Sequence, residues 1–145
     1  MPEPVIRVEH LKKYFPLRRS ISEFLKGRPP RSVKAVDDIS FEIYKGEVFA
    51  LAGESGCGKT TTGRLIVKLI EPTSGKIYFN GVDVTNLSRE EEKEYRKKVQ
   101  IIFQDPYGSL NPRFRVYNVL EEPLILAGIG ETKAEREELI IRALE

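Results

Sequence analysis

The sequence contains one cysteine and one histidine. A single thiol excludes an intramolecular disulfide framework, and the two residues together leave little from which to build a zinc site. An excess of charge of one sign is also missing. Twenty-four Lys and Arg stand against 22 Asp and Glu, a net charge of +2, too small a bias to drive bulk binding to nucleic acid or to a membrane surface. Long apolar runs are lacking too. The longest, residues 48–52, has five residues, whereas a helix crossing a bilayer needs about 20. The opening Met1-Pro2-Glu3-Pro4 has neither the basic nor the apolar segment of a secretory signal. These absences lead to the expectation of a soluble protein in a reducing, cytoplasmic compartment, with no nucleic-acid partner. What is present is an ordinary globular composition. Of 145 residues, 40% are hydrophobic and 32% charged, enough to bury a core in one domain or in a piece of a larger one.

Along the chain, residues 5–14 open with Val5, Ile6 and Val8 alternating against Arg7 and Glu9, which predicts a strand. Residues 15–32 break the pattern with Pro16, Gly27, Pro29 and Pro30. They carry Arg18, Arg19, Lys26, Arg28 and Arg31 against Glu23, and read as a basic surface insertion with a short helical turn at 21–26. Alternation at 39–44 predicts a second strand, Lys45-Gly46 a turn, and residues 47–52 a short strand buried on both faces. From Thr60 to Ile70 the period becomes helical, with Leu65, Ile66, Leu69 and Ile70 on one side and Arg64 and Lys68 opposite. Pro72, Ser74 and Gly75 read as the stop. Residues 76–84, with Asn80-Gly81 at their centre, predict a two-residue hairpin. Ser88 with Glu91, and Thr132 with Glu135, are capping boxes that open two helices. Residues 99–103 read as another apolar strand. The order is an antiparallel β unit, then strand–loop–helix, then more β, then strand–loop–helices, which is α/β with an added β layer.

Gly53-Glu54-Ser55-Gly56-Cys57-Gly58-Lys59-Thr60 matches the Gly-x-x-x-x-Gly-Lys-[Ser/Thr] phosphate loop, between a predicted strand and a predicted helix. The chemistry explains the spelling. A triphosphate needs donors from several directions. Gly53, Gly56 and Gly58 allow the backbone to curl so that successive N–H groups point inward. The helix beginning near Lys59 adds its positive end. Lys59 supplies a point charge for the outer phosphates, the Thr60 hydroxyl is placed for Mg²⁺, and Thr61 stands one step on, near the inner phosphate. Cys57 is either a small residue that fits the turn or a thiol poised for redox chemistry. His10 reads as a strand-surface residue.

With its second hydroxyl residue, Thr61, the loop resembles the Walker A motif of ATP-binding-cassette (ABC) ATPases. Gly46-Glu47 resembles the Gly-Glu pair ahead of the Walker A strand in that family. Ile101-Ile102-Phe103-Gln104-Asp105-Pro106 resembles its Q-loop. The longer string from Phe103 to Pro112, followed by Glu122-Pro123-Leu124, is similar to the oligopeptide and dipeptide importer subfamily, as is the basic insertion. The resemblance covers residues 5–145. It implies an α/β fold, a P-loop NTPase core with an added antiparallel β layer, truncated before the signature and Walker B motifs. Residues 1–145 would be the N-terminal part of an ABC ATP-binding domain, with Walker A at 53–60, the Q-loop around 104 and the start of a helical subdomain around 115 to 145.

The implied nucleotide-binding set is Tyr14, Gly53, Glu54, Ser55, Gly56, Cys57, Gly58, Lys59, Thr60, Thr61 and Gln104. Within it Lys59 and Gln104 are catalytic, and Thr60 and Gln104 serve the metal, with ATP and Mg²⁺ as cofactors. Tyr14 would stack on adenine; read by itself it also suits a core position. Gln104 would couple nucleotide to the membrane partner, and Tyr107, Leu110 and Phe114 would either dock that partner or fill a local core. The implied function is ATP binding, and in the intact protein hydrolysis, energising import of peptides or related solutes. Alternatives are a subunit for a non-peptide solute or phosphonate metabolism, and a fragment that binds nucleotide without hydrolysing it. Implied partners are a second ATP-binding subunit and permease subunits that hold the protein on the inner face of the membrane. The signature motif, a Walker B Asp-Glu and a switch histidine are not found in these 145 residues. A chain of this extent is therefore expected to lack turnover. It is also expected to fold poorly or borrow strands, because residues 48–52 would miss their ladder neighbours.

Overall fold

The computed structural model describes residues 3–17, 31–105, 108 and 110–145, which fall into two units, Met1–Glu92 and Lys93–Glu145. The first unit holds one four-stranded antiparallel sheet. Its strands are β1 (Ile6–Pro16), β2 (Ser32–Ile43), β3 (Ser74–Phe79) and β4 (Val82–Asp83), in the order β2-β1-β3-β4. The β layer expected from the alternating segments is thus present. Strict alternation along β1 would put Val8 and Leu11 on opposite faces, yet both are buried. The parity changes at a bulge. Glu9 pairs with Lys76 and Lys12 with Ser74, so His10 and Leu11 together stand opposite Gly75. His10 takes the left-handed conformation, φ 48°, that absorbs the extra residue. Gly75, read from the sequence as a helix stop, lies inside β3. A Cβ there would meet the His10 carbonyl oxygen at 2.4 Å and the Leu11 Cα at 2.6 Å.

β1 and β2 extend further than their alternation indicated. Phe15 pairs with Val33 and Pro16 with Ser32, and the Leu17 N–H donates to the Arg31 carbonyl at 2.9 Å. The β1–β2 ladder therefore runs into both ends of the segment read as a basic insertion. The helical turn expected at 21–26 lies outside the described residues.

The helix after the phosphate loop, α1 (Lys59–Ile66), is shorter than its period suggested. It ends in a Schellman arrangement. The Lys68 N–H donates to the Leu65 carbonyl and the Leu69 N–H to the Arg64 carbonyl, with Lys68 at φ 56°. A lysine holds the position that usually takes glycine, so no sequence signal marked the end. The expected polar stripe fails there as well. Lys68 is buried, and its Nζ donates to the Thr85 carbonyl at 2.6 Å and contacts Glu71 at 3.4 Å, while Leu69 is exposed. Asn80 and Gly81, at φ 48° and 78°, form the expected two-residue turn between β3 and β4. The buried apolar side chains of this unit include Val8, Leu11, Val36, Leu65, Val67, Ile77 and Val84.

Both capping boxes are present. Ser88 and Glu91 exchange side-chain and backbone bonds at the start of α2 (Arg89–Lys98), and Thr132 and Glu135 do so ahead of α4 (Lys133–Leu144). In the second unit α3 (Val116–Ala127) carries Pro123 internally and ends at Gly128, φ 68°. Arg136 of α4 pairs with Glu121 of α3 at 3.1 Å, both side chains largely buried, and also donates to the Gly130 carbonyl. Burial pushes the Tyr95 phenol of α2 up to about 12.

Two expectations are overturned. Residues 47–52 and 99–103 form no strands. Val48 is 94% and Ile102 91% exposed, far from the predicted burial on both faces. An apolar run becomes a strand only where a neighbouring strand completes its ladder, and among the described residues none does. The first run is instead held in its first half. Glu47 accepts from the Tyr44 N–H at 2.8 Å, and the Phe49 ring stacks on Phe41 of β2 with centroids 4.8 Å apart.

Gly75→Ala is expected to lower the urea midpoint of the first unit, with a cost above about 1 kcal/mol. A chemical denaturation curve checks this, and an unchanged midpoint would mean the bulge does not press on β3.

Candidate functional site

The loop at 53–60 is built from backbone first. Gly53, Gly56 and Gly58 have φ of 152°, 82° and 100°, and the Cys57 N–H closes a turn on the Glu54 carbonyl at 3.3 Å. Gly58 is the N-cap of α1. It lies so close to β2 that a Cβ on it would meet the Ala35 carbonyl oxygen at 2.2 Å and the Val36 Cγ2 at 3.6 Å. A side chain at 58 is thus forbidden twice, by φ and by space. The first turn of α1 is held by Thr62, whose N–H and hydroxyl both donate to the Gly58 carbonyl, at 2.8 and 3.0 Å. The Lys59 ammonium folds back over the loop. It donates to the Gly53 and Glu54 carbonyls at 2.7 Å each and approaches the Cys57 Sγ at 3.4 Å. Ser55, Thr60 and Cys57 are exposed and Thr61 is half-buried. A curled backbone, a helix N-terminus and an ammonium lie together in this loop, a set of groups whose chemistry suits a polyphosphate anion. The Thr60 hydroxyl at the loop's end is a hard oxygen donor suited to Mg²⁺.

Tyr14 stands near the end of β1, half-buried, and pairs in register with Lys34 of β2. Its backbone N–H donates to the Thr73 hydroxyl at 2.9 Å. Its phenol donates to Asp37 Oδ1, and Lys34 donates to Asp37 Oδ2 at 3.1 Å. The Lys34 nitrogen lies 5.3 Å from the Tyr14 ring centroid. The phenol's hydrogen bond, then that of Lys34, holds the Asp37 carboxyl below its ordinary range, and the Asp37 carboxylate in turn raises the Tyr14 phenol. Both shifts widen the pH range over which the phenol stays protonated and the carboxyl ionised. Ala35 and Val36, which touch Gly58, lie between Lys34 and Asp37. The first unit therefore brings Tyr14, the 34–37 segment and the phosphate loop into one neighbourhood.

Lys34, Ala35 and Asp37 did not emerge from the sequence. Lys34 and the Asp37-Asp38 pair interrupt alternation, and the register shifts twice between Leu11 and Tyr14. The one available signal was a basic and an acidic residue three apart beside the aromatic strand. Gln104 belongs to the second unit and is exposed in a bend. Leu110 and Phe114 are exposed there, and Tyr107 lies outside the described residues. His10 is a surface residue of the bulge, as expected, with Nδ1 2.8 Å from Asp38 Oδ1.

Gly58→Ala is expected to destabilise the first unit by about 1–3 kcal/mol from the strained φ alone, with more from the Ala35 contact. A lowered thermal midpoint together with faster amide exchange over 53–60 would show it; native exchange rates in that loop would contradict it.

Comparison with known proteins agrees with this geometry. Residues 36–144 match the ABC transporter family. The chain is 45% identical over 146 aligned residues to the oligopeptide transport ATP-binding protein OppF of Bacillus subtilis, covering all of this chain and 44% of that protein. It is 42% identical over 137 residues to the dipeptide transport ATP-binding protein DppF of Haemophilus influenzae, covering 94% of this chain and 40% of that one. The chain thus spans less than half the length of these curated relatives. Among solved structures, the dimeric bacterial ABC transporter cassette MJ0796 has a TM-score of 0.73 at 24% identity, over 96% of this chain and 55% of that one. The cbiO1 protein of Clostridium perfringens, part of the ABC transporter complex cbiONQ, has a TM-score of 0.67 at 25% identity, over 98% and 49%. With the family match spanning the phosphate loop and the helices that follow it, this chain belongs to the ABC transporter family.

Proposed function

We propose that the chain is the N-terminal part of an ABC ATP-binding domain, which holds Mg·ATP on the loop at 53–60. In the complete protein, hydrolysis there energises import of peptides or related solutes. The observation that carries this reading is the Lys59 ammonium lying over a glycine-rich turn at the mouth of α1, bonded to the Gly53 and Glu54 carbonyls. Those carbonyls are weaker partners than phosphate oxygens, so a triphosphate would recruit the ammonium from them. Backbone N–H groups of residues 53–60 would hold the β-phosphate, Thr60 would ligate Mg²⁺, and Thr61 would face the inner phosphate. Tyr14 stacks on the base. The closeness to Gly58 of Ala35, next to its cross-strand partner Lys34, supports that role. Gln104 serves the metal and the attacking water and passes the nucleotide state to the permease. The base of hydrolysis and the signature motif belong to the part of the relatives' length that this chain does not span.

The importer assignment is supported by relatives described as oligopeptide and dipeptide transport proteins. Two helices, α3 and α4, occupy the stretch proposed as the start of the helical subdomain. Among the described residues no helix is long and apolar enough to cross a membrane; permease subunits hold the protein at the membrane, and a second ATP-binding subunit completes the nucleotide sandwich, a reading supported by the dimeric form of the MJ0796 cassette.

Lys59→Ala is expected to raise the Kd for Mg·ATP about ten- to hundred-fold, the worth of one charge-assisted hydrogen bond, measured by calorimetric titration of the complete protein. An unchanged Kd would remove the phosphate-loop reading. Mg·ATP is also expected to slow maleimide labelling of Cys57, which is exposed inside the loop. Equal rates with and without nucleotide would mean the loop does not close around phosphate.

A further inference from the structure

Tyr14 does not stand alone on its strand. One carboxylate, Asp37, holds two partners at once: Oδ1 accepts from the Tyr14 phenol and Oδ2 from the Lys34 ammonium at 3.1 Å. The same ammonium lies 5.3 Å from the Tyr14 ring centroid, within cation–π range. The ring is therefore held by its hydroxyl and by the cation beside it, while the Thr73 hydroxyl holds the backbone from which it projects. Between the two charged residues, Ala35 and Val36 press on Gly58. The segment that anchors the ring is thus the segment that seats the phosphate loop.

We propose that Asp37 is a positioning residue for the nucleobase: by binding the Tyr14 phenol and the Lys34 ammonium together, it sets the ring at a fixed place relative to the phosphate loop. This rests on the reading of Tyr14 as the base-stacking residue. The physical argument is one of preorganisation. A tyrosine near a strand end has two free side-chain torsions, and stacking a base on it requires that both be fixed. A ring already fixed loses no further freedom when the base arrives. The ammonium lies toward one face of the ring, which directs a planar base to the other. Lys34 belongs to this arrangement through Asp37, and neither residue needs to touch the nucleotide. Asp37 therefore affects the base end of the ligand, whereas Lys59 affects the phosphate end.

The test compares two ligands on the complete protein, Mg·ATP and magnesium tripolyphosphate, by calorimetric titration. Tripolyphosphate carries the phosphates without a base. In the unsubstituted protein ATP is expected to bind more tightly than tripolyphosphate. Asp37→Ala is expected to raise the Kd for ATP about three- to tenfold, the range of one net hydrogen bond, and to leave that for tripolyphosphate unchanged. Asp37→Asn keeps an acceptor for the phenol and is expected to retain most of the preference for ATP. Tyr14→Phe keeps the ring but loses the anchor. It should match Asp37→Ala, and the double substitution should cost no more than either alone. An Asp37→Ala protein that keeps the full preference for ATP overturns the proposal. So does equal weakening of both ligands, which would mean that Asp37 only supports the fold. If the unsubstituted protein binds both ligands equally, the stacking role of Tyr14 fails and the proposal fails with it. If neither ligand binds, the phosphate loop itself is misread.

Discussion

The phosphate loop rests on a backbone-to-backbone approach with no room for a side chain. Gly58 caps α1 while lying against the Ala35 carbonyl of β2, at a distance a Cβ could not tolerate. Several features follow from that contact. It aims the N-terminus of α1, it fixes where Lys59 leaves the helix, and it joins the loop to the edge strand of the antiparallel sheet. The loop is often pictured as a cup defined by its own glycines. Here one wall of the cup's support is a strand from a different part of the sequence, and the close fit between them is what sets the position of the cup.

That arrangement also gives the sheet a role in function. β1 and β2 bring Tyr14 and Asp37 to the same end of the unit as Gly58. The β1–β2 pair thereby stands beside the loop proposed to hold the nucleotide. In the proposed reading, recognition divides between two kinds of chemistry: dipoles and an ammonium for the phosphates, and a held aromatic ring for the base. The first is encoded within eight consecutive residues. The second depends on a cross-strand register.

This division explains which parts could be read from the sequence. Features with local causes were legible. Asn80-Gly81 makes its turn by its own φ angles, Ser88 with Glu91 and Thr132 with Glu135 cap their own helices, and the glycines of 53–60 curl their own loop. Features that depend on a distant partner were not. Residues 47–52 and 99–103 are apolar enough to be strands, but hydrophobicity cannot supply the second half of a ladder, and both lie outside any strand and largely exposed. The His10 bulge shifts the inward face of β1 by one residue, and only Gly75 across the sheet explains it. The link from Tyr14 to Asp37 spans a hairpin whose three register shifts hide it from any periodicity. α1 ends early at Lys68, where the glycine that would signal a Schellman turn is replaced by a residue with a different task.

That task is a matter of mechanics. Lys68 leaves the far end of α1 and buries its ammonium against the Thr85 carbonyl, just past β4. The near end of the same helix is Gly58 and the loop. The helix is thus a strut pinned at both ends, and its second pin is a buried charge. Pulling that pin out would break the buried hydrogen bond from the ammonium to the Thr85 carbonyl, at a cost of about 1.5–3 kcal/mol. A push on the loop end would then move helix and hairpin as one body, since sliding the helix past the sheet is the costlier course.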